Sequence, residues 1–184
     1  MPNTLFAADD LEKWSFALNR GSFSEKKQNG MSIETGPIVG FELARRFSDK
    51  VDIGFEFSGG KSKKEFSLSP GIITTYNNYF STVFLNYSLG KVIKGLYVGP
   101  QVGIIIRSHV KSNDNINMTA AARGIKIGWR RRLKGKFSFG VQAQYIEVDK
   151  AGKSVQEGAP QVNVIYSVPQ TYFTKYLFSL RYKF

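Results

Sequence analysis

His109 is the one imidazole in a chain of 184 residues. It is therefore the one candidate general base near neutral pH. Ser108 and Ser112 lie close to it. A serine nucleophile needs its hydroxyl within hydrogen-bond reach of such a base. Residues i and i+2 share a face of an extended strand. His109-Val-Lys-Ser112 has spacing i+3, which puts the two groups on opposite faces. No catalytic residue is therefore assigned. The chain has no Cys, so neither a disulfide nor thiolate chemistry is available. A lone His does not supply a His-based metal site. Neither metal nor cofactor is expected.

Charge is the other chemical resource. Lys and Arg number 26 against 14 acids, a formal net charge of +12. Such a balance suits a solvated basic surface, nucleic acid or an anionic membrane surface. No Lys/Arg-rich helix, zinc-ligand spacing or RNA-binding signature accompanies it, so nucleic acid is not expected as a partner. Fifteen Phe and nine Tyr make the chain unusually aromatic. No apolar run approaches the ~20 residues of a spanning helix.

The elements that must carry these side chains read as strands. In Thr171–Phe184, Tyr172, Thr174, Tyr176, Phe178, Leu180, Tyr182 and Phe184 alternate with Phe173, Lys175, Leu177, Ser179, Arg181 and Lys183. One face is aromatic and uncharged; the other holds three cations. Seven further strands show the same period. They run over about Trp14–Phe23, Ile33–Phe47, Val51–Gly59, Tyr76–Leu89, Leu96–His109, Thr119–Arg131 and Phe137–Val148. The links at Ser48–Lys50, Gly90–Gly95 and Leu133–Lys136 are short. Those at Ser24–Gly30, Gly60 to about Thr74, Lys111–Asn117 and Asp149–Gln170 are equal or longer and more polar. The last includes the apolar run Val162–Val168 and is expected to extend as a hairpin or to present an edge to a protein partner.

The expected fold is all-β: a transmembrane up-and-down antiparallel barrel of about eight strands, with short periplasmic turns and longer extracellular loops. Residues 1–12 would be a periplasmic lead and 13–184 the barrel, with both termini periplasmic. Trp14, Phe47, Tyr87, Trp129 and Phe137 fall at one end of their strands and would form an interfacial girdle. A soluble eight-stranded barrel would reverse the faces. Here the polar face is mostly Gly, Ala, Ser, Asn and Gln, which suits the narrow interior of a small barrel.

Charges on that inner face sort by strand. Glu34, Glu42, Asp52 and Glu56 come from the second and third strands, with Arg46 among them. Arg107, Lys126, Arg130, Lys175, Arg181 and Lys183 come from the fifth, sixth and eighth. Buried charges need partners, so a charge network across the lumen is expected. Arg20 and Arg123 would face outward near the loop rim. Lys26, Lys27, Lys61, Lys63 and Lys64 would sit in the loops, all placed to meet lipopolysaccharide phosphates.

The strand count, the loop asymmetry and the ending Tyr176-Leu-Phe-Ser-Leu-Arg-Tyr-Lys-Phe184 resemble small bacterial outer-membrane barrels: the OmpA transmembrane domain, OmpX and OmpW. That resemblance implies an outer-membrane location. It makes Tyr176, Phe178, Leu180, Tyr182 and Phe184 an assembly signal for the barrel assembly machinery. It also implies a signal peptide removed from the mature chain, since Met1–Ala8 lacks the features of one. Membrane lipid and lipopolysaccharide are the implied partners. The leading expectation is a structural or surface-interaction barrel without an enzyme site. The alternatives are a narrow pore or transporter for small or hydrophobic solutes, as in OmpW, and a lipid A-modifying enzyme at the outer rim. Lipid A deacylases are similar in size and strand number, but their His-x-Ser spacing differs from His109-Val-Lys-Ser112.

Overall fold

A computed structural model describes residues 14–27, 32–65, 73–90, 93–110, 115–157, 162–168 and 170–184. The strands are Trp14–Lys27 (β1), Ser32–Ser48 (β2), Val51–Glu65 (β3), Ile73–Ser88 (β4) and Leu96–Val110 (β5). Asn115–Arg132 (β6), Phe137–Val148 (β7), Ala151–Glu157 (β8), Val162–Val168 (β9) and Thr171–Lys183 (β10) complete the set. Eight of them close an antiparallel barrel in the order β1-β10-β7-β6-β5-β4-β3-β2, and β8 and β9 form a separate hairpin. The wall is all-antiparallel and contains no helix. The expected lead, residues 1–12, lies outside the described residues.

Alternation sets the wall. Along β7, exposed and buried residues alternate from Phe137 to Val148, and β10 does the same from Thr171 to Lys183. The outward face is an apolar band that includes Phe16, Phe41, Phe55, Phe57, Leu85, Ile127 and Phe178. A patch of more than a few hundred Å2 is rare on a soluble monomer. The turn end of the barrel holds the three short connections, and Trp14 and Phe184 meet there through Phe184 N–H donating to the Trp14 carbonyl at 3.0 Å. Gly135 makes one of these turns possible by adopting φ 69°, a left-handed conformation that Gly reaches without steric cost.

The strands run further toward the loop end than polar composition suggests. β1 continues past Phe23, pairing Lys26 with Ser32 and Lys27 with Thr171. β3 reaches Glu65, which pairs with Ile73 of β4, so much of the expected loop 60–74 is ladder. The long connection 149–170 carries β8 and β9, paired from Ala151↔Val168 to Glu157↔Val162. The physical reason is that ladder hydrogen bonds need only backbone groups, and side chains there can be polar on both faces. At ~3.3 Å per residue and a tilt of ~40°, the 18 residues of β6 rise about 45 Å, against an apolar band of ~25 Å in such barrels.

Candidate functional site

The lumen is filled in tiers, because each inward residue sits at a height set by its strand register. Nearest the turn end, Asp52 on β3 accepts from Arg46 Nε at 3.2 Å and from Arg130 Nη1 at 3.2 Å. Arg46 is exposed at the mouth rather than enclosed. Tyr97 stands beside this pair, with the Arg130 guanidinium 5.0 Å from its ring centroid. Gly128 faces Tyr97 across the β5–β6 ladder. A Cβ at Gly128 would come within 2.4 Å of the Tyr97 hydroxyl, so only glycine leaves room for the ring.

Above this tier, five charged side chains are fully enclosed. Lys126 on β6 reaches across to Glu42 at 2.9 Å and Glu56 at 3.1 Å. Lys175 on β10 donates to Glu56 at 2.7 Å and to Ser58 Oγ at 3.0 Å. Arg181 bridges Glu42 at 2.5 Å and Ser15 Oγ at 2.7 Å. Gln142 and Gln144 donate to Glu42 at 2.8 Å and Glu56 at 2.6 Å. Acids from β2 and β3 thus meet cations from β6 and β10 across the axis.

The next tier is apolar. Phe23, Phe80 and Phe173 are each fully buried and pack with ring centroids 5.1–6.2 Å apart. Ile38, Ile105, Ile146 and Leu177 surround them. Sequence reasoning missed this layer, because each residue breaks the small-polar pattern of the inner face on its own strand. Above it, Arg107 forms a bidentate pair with Glu25, donates from Nε to Asn78 Oδ1 at 2.8 Å, and lies 5.5 Å from the Phe173 ring centroid. Glu25 was also missed, since its stretch reads as loop. Its signal was parity with Ser15, Ala17 and Asn19 on one face. The Glu34 side chain lies outside the described residues, and Lys183 stays half-buried at the turn-end mouth.

Of the sequence-derived catalytic candidates, only Ser108 has a described side chain. Ser108 is buried and donates to Asn117 Oδ1 at 2.7 Å. The backbone of His109 pairs with Tyr76 and Ile116; its side chain and Ser112 lie outside the described residues. Among the described residues, no group of His, Cys, Asp or Glu could hold a metal ion.

On the outer wall, the aromatic residues at the turn end are Trp14, Phe47, Tyr87, Trp129 and Phe137. Phe47 is the most exposed at 74%. Trp129 Nε1 donates to the Lys94 carbonyl at 3.0 Å, and Phe137 packs on Tyr182 with centroids 5.1 Å apart. Tyr176, Phe178, Leu180, Tyr182 and Phe184 all face outward on or just beyond β10, which is paired on both sides by β1 and β7.

Toward the loop end, a groove of about 590 Å3 crosses the outer faces of β1 to β4, walled by Leu18, Val39, Phe41, Phe57 and Tyr79 with Lys61 at its margin. Its floor is low because Gly59 lies there, flanked by Tyr79, whose ring would stand 3.0 Å from a Cβ at that position. Arg20 flanks the groove at the level of Val39 and Gly59. Lys26 and Lys63 are exposed further along the same faces. None of Arg20, Lys26, Lys61 and Lys63 makes an ion pair among the described residues. Arg123, across the barrel, differs: it pairs with Glu147 at 3.1 Å and Asp149 at 3.6 Å. The side chains of Lys27 and Lys64 lie outside the described residues.

No protein-family model and no curated protein matches this chain. Solved structures do. Neisserial surface protein A aligns over 93% of this chain and 97% of its own, at 13% identity and a TM-score of 0.68. OprG of Pseudomonas aeruginosa aligns over 94% and 97%, at 12% identity and a TM-score of 0.61. Ail, the attachment invasion locus protein of Yersinia pestis, solved with the heparin analogue sucrose octasulfate, aligns over 94% and 99%, at 11% identity and a TM-score of 0.57. At these identities the likeness is one of architecture, and the chain has the eight-stranded barrel fold of small outer-membrane proteins.

Proposed function

We propose that this chain is a non-enzymatic integral barrel of the bacterial outer membrane that holds lipopolysaccharide against its β1–β4 wall. Two features support the location: the apolar outward band and the polar, side-chain-filled lumen. The short turns and both chain ends then face the periplasm, the turn-end aromatics form the inner girdle, and the outward aromatics of β10 serve recognition by the barrel assembly machinery.

The observation that carries the lipid reading is the juxtaposition of the apolar groove with Arg20, Lys26, Lys61 and Lys63, cations without carboxylate partners among the described residues. An acyl chain fits the groove, and lipid phosphates meet the cations above it through charge-assisted hydrogen bonds. The hairpin β8–β9 offers a candidate surface for a protein partner in the extracellular space. The transporter reading has Pro100 in its favour, where no ladder pair joins β4 and β5. The lumen behind it is filled by Phe84 and Gln101, both buried, so the structural role is preferred over transport.

The test compares the folded barrel in bilayers with and without lipopolysaccharide. Lipopolysaccharide is expected to raise the unfolding midpoint, and the triple variant Arg20→Ala/Lys61→Ala/Lys63→Ala is expected to lose most of that gain. An equal gain from an anionic phospholipid, untouched by the triple variant, overturns the proposal.

A further inference from the structure

We propose that the turn-end mouth of the lumen is a binding site for a small multivalent oxyanion of the hydrogen phosphate class. A cavity of about 370 Å3 opens there. Six cations line it, Arg46, Lys94, Arg130, Arg132, Lys136 and Lys183, against two carboxylates, Asp49 and Asp52. Asp52 is already engaged by Arg46 and Arg130. Lys94, Lys136 and Lys183 have no carboxylate partner among the described residues. Arg132 Nε reaches only the Gly135 carbonyl at 3.4 Å. The excess positive charge is concentrated in one concavity, where low-dielectric walls strengthen its field.

The inner wall of this cavity supplies a second, independent observation. Asn86 is 2% exposed and neither its amide nitrogen nor its amide oxygen has a partner; Ser138 is 4% exposed and its hydroxyl has none. Both line the cavity. Buried polar groups in folded proteins are mostly paired, and here Asn86 has both of its amide atoms unpartnered. Their chemistry is selective. Asn86 Nδ2 and Ser138 Oγ offer donors to anionic oxygens, whereas Asn86 Oδ1 asks for a donor in return. A hydrogen phosphate or hydrogen diphosphate carries both P–O− acceptors and a P–OH donor near neutral pH. Sulfate carries no such proton. The volume and the number of cations exceed what a chloride ion would use.

The walls are mainly inward-facing side chains, including Asn86, Tyr97, Arg130 and Ser138. The site thus lies in the lumen mouth and opens to water rather than to the outer wall. Above it the Glu42–Lys126–Arg181 contacts close the way, so the anion is held and not passed through. The assigned ligand is a soluble phosphate or diphosphate; a phosphate monoester headgroup shares the chemistry.

The experiment is calorimetric titration of the folded, full-length barrel in an uncharged detergent at low ionic strength, with inorganic diphosphate, orthophosphate and sulfate. One saturable site per chain is expected, with diphosphate and orthophosphate binding at least about tenfold more tightly than sulfate. Arg132→Gln/Lys183→Gln is expected to weaken diphosphate about tenfold or more. Ser138→Ala and Asn86→Leu, which change no charge, are each expected to weaken it several-fold and to narrow the margin over sulfate. Circular dichroism checks the fold of each variant, and Ser138→Ala carries the test if Asn86→Leu does not fold. Absence of saturable binding overturns the proposal. So does equal affinity for phosphate and sulfate with Ser138→Ala indifferent, which is the signature of diffuse charge attraction. Repeating the titration in phosphatidylcholine bilayers with and without phosphatidic acid separates the sources. Unchanged affinity supports the soluble anion, and competition assigns the same site to the headgroup phosphate.

Discussion

Two successive levels of the lumen, the charged and apolar halves of its middle, are filled by opposite means. Toward the turn end, Glu42, Glu56, Lys126, Lys175 and Arg181 form one connected set of ion pairs, each at most 2% exposed. At the next level, below the buried Arg107–Glu25 pair, Phe23, Phe80 and Phe173 with their aliphatic neighbours fill the lumen without a charge. Both exclude solvent, but they differ in what they specify. Aromatic rings tolerate any partner of similar size. The ion set tolerates only one pairing of β2 and β3 with β6 and β10, because any other leaves a buried charge alone. The charged half therefore fixes which walls oppose each other, and the apolar half mainly supplies volume.

That contrast can be broken most directly at Lys126. Lys126→Met removes the cation shared by Glu42 and Glu56, leaving Arg181 and Lys175 as their single ion-pair partners; the loss of two buried charge-assisted contacts is expected to cost about 3–5 kcal/mol, read as a lowered urea midpoint in lipid vesicles. Combining it with Glu42→Leu and Arg181→Met is expected to recover much of the loss, since an apolar replacement of a whole buried set is often tolerated. If the single variant is as stable as the parent chain, the charged half has no specifying role.

Phe173 gives the next effect. Phe173→Ala opens a cavity beside Phe23 and Phe80 and is expected to cost about 3 kcal/mol, whereas Phe173→Leu is expected to cost about 1 kcal/mol. A graded response in the same unfolding assay is the mark of a volume-filling layer, and an all-or-none response would erase the distinction from the charged half. The smallest effect belongs to the outer wall. Arg123→Ala removes exposed ion pairs with Glu147 and Asp149 and is expected to leave the unfolding midpoint nearly unchanged.

Much of the fold was legible because a barrel wall enforces a period of two along every strand. The inward and outward assignments of Phe16, Glu56, Lys126, Ile127 and Arg181 follow from that period alone. Strand ends were less legible. Ser24-Glu25-Lys26-Lys27 and the stretch from Lys61 to Lys64 look like loops, yet the ladder needs only backbone groups and continues through both. The pairing within the lumen was less legible still. That Glu42 meets Lys126, 84 positions away, and Arg181, 139 positions away, depends on the stagger of the closed barrel, which no single strand encodes. The apolar layer was hidden for the same reason: Phe23, Phe80 and Phe173 are isolated exceptions in sequence and become one cluster only when the wall closes.

The closure between β1 and β10 also sets the charge balance of the lumen. A sheet of β1 to β7 holds Glu42 and Glu56 opposite Lys126 alone, so this level of its concave side carries one uncompensated negative charge. β10 brings Lys175 to Glu56 and Arg181 to Glu42 and Ser15, so the closed set holds three cations against two carboxylates. β10 therefore acts as a latch with its own electrostatic key: an incomplete wall attracts the strand that completes it, and the charge it seeks is supplied within the final ten residues of the chain.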